Sequence, residues 1–178
     1  METGIRRTAR GPATFAMPVA RFKDVEGVHP QTGLATDYLN HYNEIVMLLD
    51  LVPAMPECIE DVSAWTPKSY VEHFRDSGLG IADGVIAAYE SAPRTYRAAF
   101  DATVRELDEF LYPAIAEIAE AVEAGDQEQI PLIVEQTLDM ARGFLGKLNG
   151  IIHGHAAAEE IDATDDTEMA QALADALF

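Results

Sequence analysis

The stretch from Ala92 to His153 constrains this chain more than any other. In its first half Tyr96, Phe100, Val104, Leu107, Leu111, Ile115, Ile118 and Val122 recur every three or four residues, the spacing of one face of an α-helix. Its second half repeats the pattern with Ile130, Val134, Leu138, Ala141, Leu145, Leu148 and Ile152, and Ile133, Phe144 and Ile151 widen that stripe beyond a coiled-coil seam. Between them stands Ala124-Gly125-Asp126, a glycine suited to end one helix and a carboxylate suited to cap the next. Gln129 completes a capping-box spacing. So short a connection predicts two antiparallel neighbours, a helical hairpin against which the rest of the chain packs.

The remainder reads as helix too. Thr36 is positioned to cap a helix over Asp37–Val52, with Tyr38, Tyr42, Ile45, Leu48, Leu49 and Val52 on its apolar side, and Pro53 and Pro56 end it. A short helix is expected from Pro56 to Ala64. Thr66-Pro67 reads as the start of another, running to Ser77-Gly78, and a fourth spans Leu79–Glu90. Ser91 is placed to cap the long arm, with Pro93 just inside it. Pro113 predicts a kink or restart within that arm, since a mid-helix proline costs about 3 kcal/mol if nothing relieves it. Pro131 falls near a helix start and is tolerated there. No segment alternates with period two, so the expected class is all-α: a single helical bundle over residues 34–154.

The two ends differ from this core and from each other. Residues 1–33 contain Pro12, Pro18 and Pro30 without helical periodicity, and are expected to form a mobile arm. Their first 23 residues hold five of the chain's twelve basic residues, but no continuous apolar run of a secretory signal. Residues 155–178 form an acidic linker and a terminal amphipathic helix. After Gly154 there are seven acids and neither Lys nor Arg, and Met169, Leu173 and Leu177 stand four apart before Phe178.

Charge narrows the function classes. A formal net charge of −19 and a pI near 4.4 set the chain against anionic membrane or nucleic-acid backbones, which attract clustered Lys and Arg. No apolar run approaches the roughly 20 residues of a membrane span. Cys58, the single cysteine, has no partner for an internal disulfide and no nearby cation to activate it, so it reads as a small apolar side chain in a reducing compartment. Abundant Ala and a preference for Arg over Lys fit a bacterial cytosol.

Two chemistries are suggested by the polar residues. Asp37, Asn40, His41, Asn43 and Glu44 make the densest polar cluster in an apolar helix. A metal centre in a helical bundle calls for Glu-x-x-His pairs, and none of the five histidines has one, so no cofactor is expected. Were a metal held, His41, Glu44 and His73 are the first candidate ligands. Phosphotransfer calls for an exposed His on a helix face. The window His73-Phe74-Arg75-Asp76-Ser77-Gly78 faintly resembles that of histidine phosphotransfer domains, with its basic and glycine positions out of step.

The reading that remains is a non-enzymatic adaptor or regulator that binds another protein. Its terminal helix, through Met169, Leu173, Leu177 and Phe178, would enter an apolar groove with a basic rim on that partner.

Overall fold

The computed structural model describes residues 22–155. Among them the chain forms six α-helices and two 3-10 turns. In order these are the turn Thr36–Tyr38, α1 Leu39–Leu51, the turn Pro56–Cys58, α2 Ile59–Ala64, α3 Tyr70–Asp76, α4 Ala82–Glu90, α5 Arg94–Ala124 and α6 Gln129–Ile152. There is no strand among the described residues. The all-helical class expected from periodicity is therefore found.

Helices α5 and α6 lie along one another, with contacts in opposite order on the two helices. Glu106 meets Lys147 at 3.9 Å, and the Phe110 and Phe144 ring centres stand 6.0 Å apart. Buried Phe100, Leu107, Leu111 and Ile118 from α5 join Ile130, Val134, Leu138, Leu148 and Ile151 from α6 in one core. The link between them follows its sequence in part, since Glu128 takes the cap position of α6 and no capping box forms. Gly125 takes φ +68°, a left-handed conformation that terminates α5 without Cβ strain, and Asp126 Oδ1 accepts from the Gln129 amide at 3.1 Å. Helix α1 lays Ile45 and Leu49 into the same core beside α6, with Arg142 reaching Asp50 at 3.6 Å across the join.

Several local expectations are corrected. Pro113 neither ends nor restarts α5, which is continuous from Arg94 to Ala124. Burial of Leu111, Ala114 and Ile118 around the proline holds the helix through it, a case of packing overriding a local breaker. Thr36 makes no cap bond, and Ala35 occupies the cap position. Helix α3 begins at Tyr70 rather than at Pro67, because Ser69 and Glu72 form a complete capping box three residues later. Pro93 sits just before α5 rather than inside it.

The part of the expected arm that is described, residues 22–33, is anchored at both ends. Phe22 and Thr32 are buried with Leu34 and Ala35, and the Thr32 hydroxyl donates to the Ile152 carbonyl at 2.7 Å. Gly33, at φ +72°, makes this possible: a Cβ there would meet the Phe22 ring at 2.8 Å and the Ala88 carbonyl at 3.0 Å. Its glycine and proline content signalled irregular backbone, and irregular backbone can still be anchored by long-range contacts. The packed unit thus includes Phe22, ahead of the expected boundary at residue 34.

Candidate functional site

The site grows from an extended segment, Trp65–Ser69, that bridges α2 and α3. Pro67 disfavours helical backbone at Thr66, so the chain stays open between the two helices. It is then pinned from inside the bundle. The Trp65 Nε1–H donates to the His41 carbonyl at 3.3 Å, and the Lys68 amide donates to His41 Nε2 at 3.1 Å. Tyr38 donates its hydroxyl to the Lys68 carbonyl at 2.8 Å. The indole also stacks on the His41 ring, centres 4.8 Å apart and planes within 24°. His41, only 7% exposed, therefore has Nε2 as an acceptor and its proton on Nδ1. Burial holds the imidazole below its ordinary pKa, and the neighbouring His73 adds to the effect.

Behind this segment lies an aromatic cluster. The Tyr38 ring, fully buried, touches those of Tyr42, Tyr70, His73 and Phe100 at centre distances between 5.2 and 5.7 Å. Tyr70 stacks on Tyr89 at 4.3 Å and accepts the Ala35 amide at its hydroxyl, 2.8 Å away. Burial pushes the Tyr38 phenol up to about 12 and raises Tyr42 further, so both stay protonated donors. Tyr42 donates to Asp108 Oδ1 at 2.8 Å, which fixes that carboxylate on the inner side of α5. Burial raises the Asp108 carboxyl pKa, and the Tyr42 hydrogen bond offsets part of the rise.

Between the Trp65–Ser69 segment and α5 opens a cleft of about 860 Å³. Ser63, Trp65, Thr66 and Pro67 line one side; Asp108, Glu109, Tyr112, Pro113, Ile115, Ala116 and Ala119 line the other. The α5 residues recur at helical spacing, so a single face of the helix forms the floor. That volume falls within the range of roughly 300–1,000 Å³ common for ligand sites. The lining is mainly apolar, its two charged groups are both acids, and no basic residue is among them. Pro113 has no N–H to give the Glu109 carbonyl one turn back, so this stretch adds a further backbone acceptor. Tyr112 is 80% exposed, a large ring left in water at the cleft. A smaller hollow of about 420 Å³, lined by Tyr89, Asp101 and Arg105 among others, shares Pro67 and Asp108 with the cleft. Asp101 there accepts the Tyr89 hydroxyl at 2.8 Å.

The residues expected to matter are only partly assembled. His41, Glu44 and His73 do share one hollow, of about 280 Å³, with Asn40, Lys68, Asp76 and Ser77. The two imidazole centres lie 6.0 Å apart, and Glu44 is exposed. Among the described residues no group of three or more His, Cys, Asp or Glu side chains is arranged to hold a metal ion. His73 is half-buried, set edge-on to Tyr38 and Phe74, and burial lowers its pKa. Cys58 is half-buried against the core. Met169, Leu173, Leu177 and Phe178 lie outside the described residues.

The sequence marks Thr66-Pro67 as a helix start and Pro113 as a kink or restart, and neither pattern points to a cleft wall. One signal was available. Tyr112 stands off the stripe marked by Leu111 and Ile115, leaving an aromatic ring on the polar side of a long helix. No protein-family model, curated protein or solved structure matches the chain, so the site rests on its own geometry.

Proposed function

We propose that the protein is a non-enzymatic interaction module, and that the cleft between Trp65 and Tyr112 receives an apolar, basic segment of a partner protein. The observation that carries this reading is the cleft's lining, apolar side chains with acceptors and carboxylates and no cation. A ligand that satisfies it must bring both apolar side chains and donors, as a peptide with aliphatic or aromatic anchors flanked by Arg or Lys does. The acidic surface of the chain, net charge −19, would speed the encounter and make it sensitive to salt.

Two finer elements belong to the same proposal. The antiparallel hairpin of α5 and α6 supplies a rigid floor, so that the cleft is held open without a ligand. The acidic tail with Met169, Leu173, Leu177 and Phe178 is disfavoured at an acidic cleft by like charge. Its expected destination is a partner surface with a basic rim.

Panning a displayed peptide library on the intact chain, with counter-selection on Ala116→Arg, tests the reading. Ala116 is exposed, so the substitution fills and charges the cleft while sparing the core. Recovered peptides should combine apolar anchors with Arg or Lys. Recovery of acidic peptides, or of none sensitive to Ala116→Arg, would overturn the proposal.

A further inference from the structure

The sequence itself contains a segment of the chemistry this cleft asks for. Residues 1–21 lie outside the described residues and differ in character from the acidic chain they precede. They carry Arg6, Arg7, Arg10 and Arg21 against the single acid Glu2, and Phe15, Met17 and Val19 follow one another at every second position. We infer that residues 10–21 seat in the cleft between Trp65 and Tyr112 and compete there with the partner segment. This inference rests on the reading of the cleft as a binding surface.

Charge selects this segment over the other end of the chain. The cleft offers Asp108, Glu109 and the Glu109 carbonyl, with no basic group among its lining residues. The segment 10–21 brings arginine at both ends and no acid, whereas residues 155–178 bring seven acids and neither Lys nor Arg. An extended chain places alternate side chains on one side, so Phe15, Met17 and Val19 would face the apolar floor together. Pro12 and Pro18 favour extended backbone and reduce the entropy lost on docking.

Phe22 is buried beside Gly33, at the point where Gly33 also approaches the Ala88 carbonyl, near the end of α4. The next residue, Tyr89, donates to Asp101 in the smaller hollow, which shares Pro67 and Asp108 with the cleft. From Asp101 to Ala119 the distance along α5 is about 27 Å at 1.5 Å per residue. Twelve extended residues span at most ~40 Å, more than this length of α5. Tethering also raises the local concentration of the segment to the order of millimolar, enough to block a competitor that binds only weakly from solution.

A labelled synthetic peptide, Arg10-Gly-Pro-Ala-Thr-Phe-Ala-Met-Pro-Val-Ala-Arg21, provides the test. Its affinity is measured for the full chain, for the full chain carrying Phe15→Asp and Met17→Asp, and for each with Ala116→Arg added. The inference expects the Phe15→Asp/Met17→Asp chain to bind the peptide at least tenfold tighter than the unaltered chain. It also expects Ala116→Arg to weaken binding in both. Trp65 is the only tryptophan, and its emission should move to the red in the Phe15→Asp/Met17→Asp chain. Equal, Ala116→Arg-sensitive affinities for the two chains would overturn the inference and leave the cleft reading intact. Peptide binding to neither chain, or binding unaffected by Ala116→Arg, would overturn the inference together with the cleft reading for this ligand class.

Discussion

Along α5 and α6 the packing is aliphatic and repetitive, whereas the end of the bundle built from the turn Thr36–Tyr38, α1, α3 and the Trp65–Ser69 segment is aromatic and joined by hydrogen bonds. In the first region each Leu or Ile fills space, and neighbours of similar volume would serve nearly as well. In the second, particular atoms meet: Tyr38 with the Lys68 carbonyl, Tyr42 with Asp108, His41 with the Lys68 amide. These bonds fix where an otherwise irregular segment lies, and that segment is one wall of the cleft. Volume builds the scaffold here, and directional bonds aim the site.

The largest expected effect sharpens this contrast. Phe100 is buried at the junction of the two regions, in contact with Tyr38 and Tyr70, and Phe100→Ala should cost about 3–5 kcal/mol in chemical denaturation. Sequence periodicity alone assigns Phe144 an equal weight. Phe144 is only half-buried, however, so Phe144→Ala should cost roughly half as much, measured in the same way. Equal losses would mean that the two regions do not differ in how tightly they are packed.

A smaller effect separates bonding from filling. Tyr42→Phe keeps the ring and removes the donor to Asp108, so denaturation should show a loss of about 1–2 kcal/mol, with the helical content unchanged. If the loss disappears when Asp108→Asn is added, the carboxylate deprived of its partner is the cause. Persistence of the full loss in the double variant would place the damage in packing instead.

The smallest effect is on pH dependence. His29, His41 and His73 are all held below the ordinary histidine pKa of 6.5, with burial as the first cause in each. Lowered folded values mean that the unfolded chain takes up protons first, so their contribution is present above 6.5 and is lost as the pH falls through the folded values. Asp101 and Asp108 carry the opposite sign. Their raised carboxyl values contribute stability below the ordinary carboxylate range of 3.8, and that contribution is lost as the pH rises through the raised values. Thermal melts between pH 7 and 5 should show the melting temperature of the unaltered chain falling relative to His41→Gln, which keeps an acceptor for Lys68 and does not titrate. Parallel profiles would show that His41 does not contribute to this dependence.

What the sequence revealed follows the same division. The stripes of α5 and α6 and the Gly125 stop are local patterns, and they place the long helices to within a few residues. The cleft depends on partners far apart in the chain, Tyr42 with Asp108 across 66 positions and His41 with Lys68 across 27. No periodicity encodes such a pairing. Ser69 and Glu72 were readable as a capping box, and the more conspicuous Trp65-Thr66-Pro67 drew the predicted helix start to itself. The polar cluster around His41 is dense in sequence, yet of its members only His41 bonds the backbone wall. Pro113 is legible as a local disturbance of α5, but only the opposing Trp65 wall turns that stretch into a surface.

The central claim is that the aromatic end presents a preformed cleft for an apolar, basic segment. Chemical-shift mapping of the isotope-labelled full chain carrying Phe15→Asp and Met17→Asp, titrated with the Arg10–Arg21 peptide or a peptide recovered by panning, tests it most directly. The account predicts that the Trp65 indole N–H and the amides of Tyr112, Ala116 and Ala119 move together and saturate, and that the exposed methionines on α1 and α6, Met47 and Met140, stay in place. Saturating shifts centred on Met47 and Met140, with Trp65 and Ala116 unmoved, would contradict it.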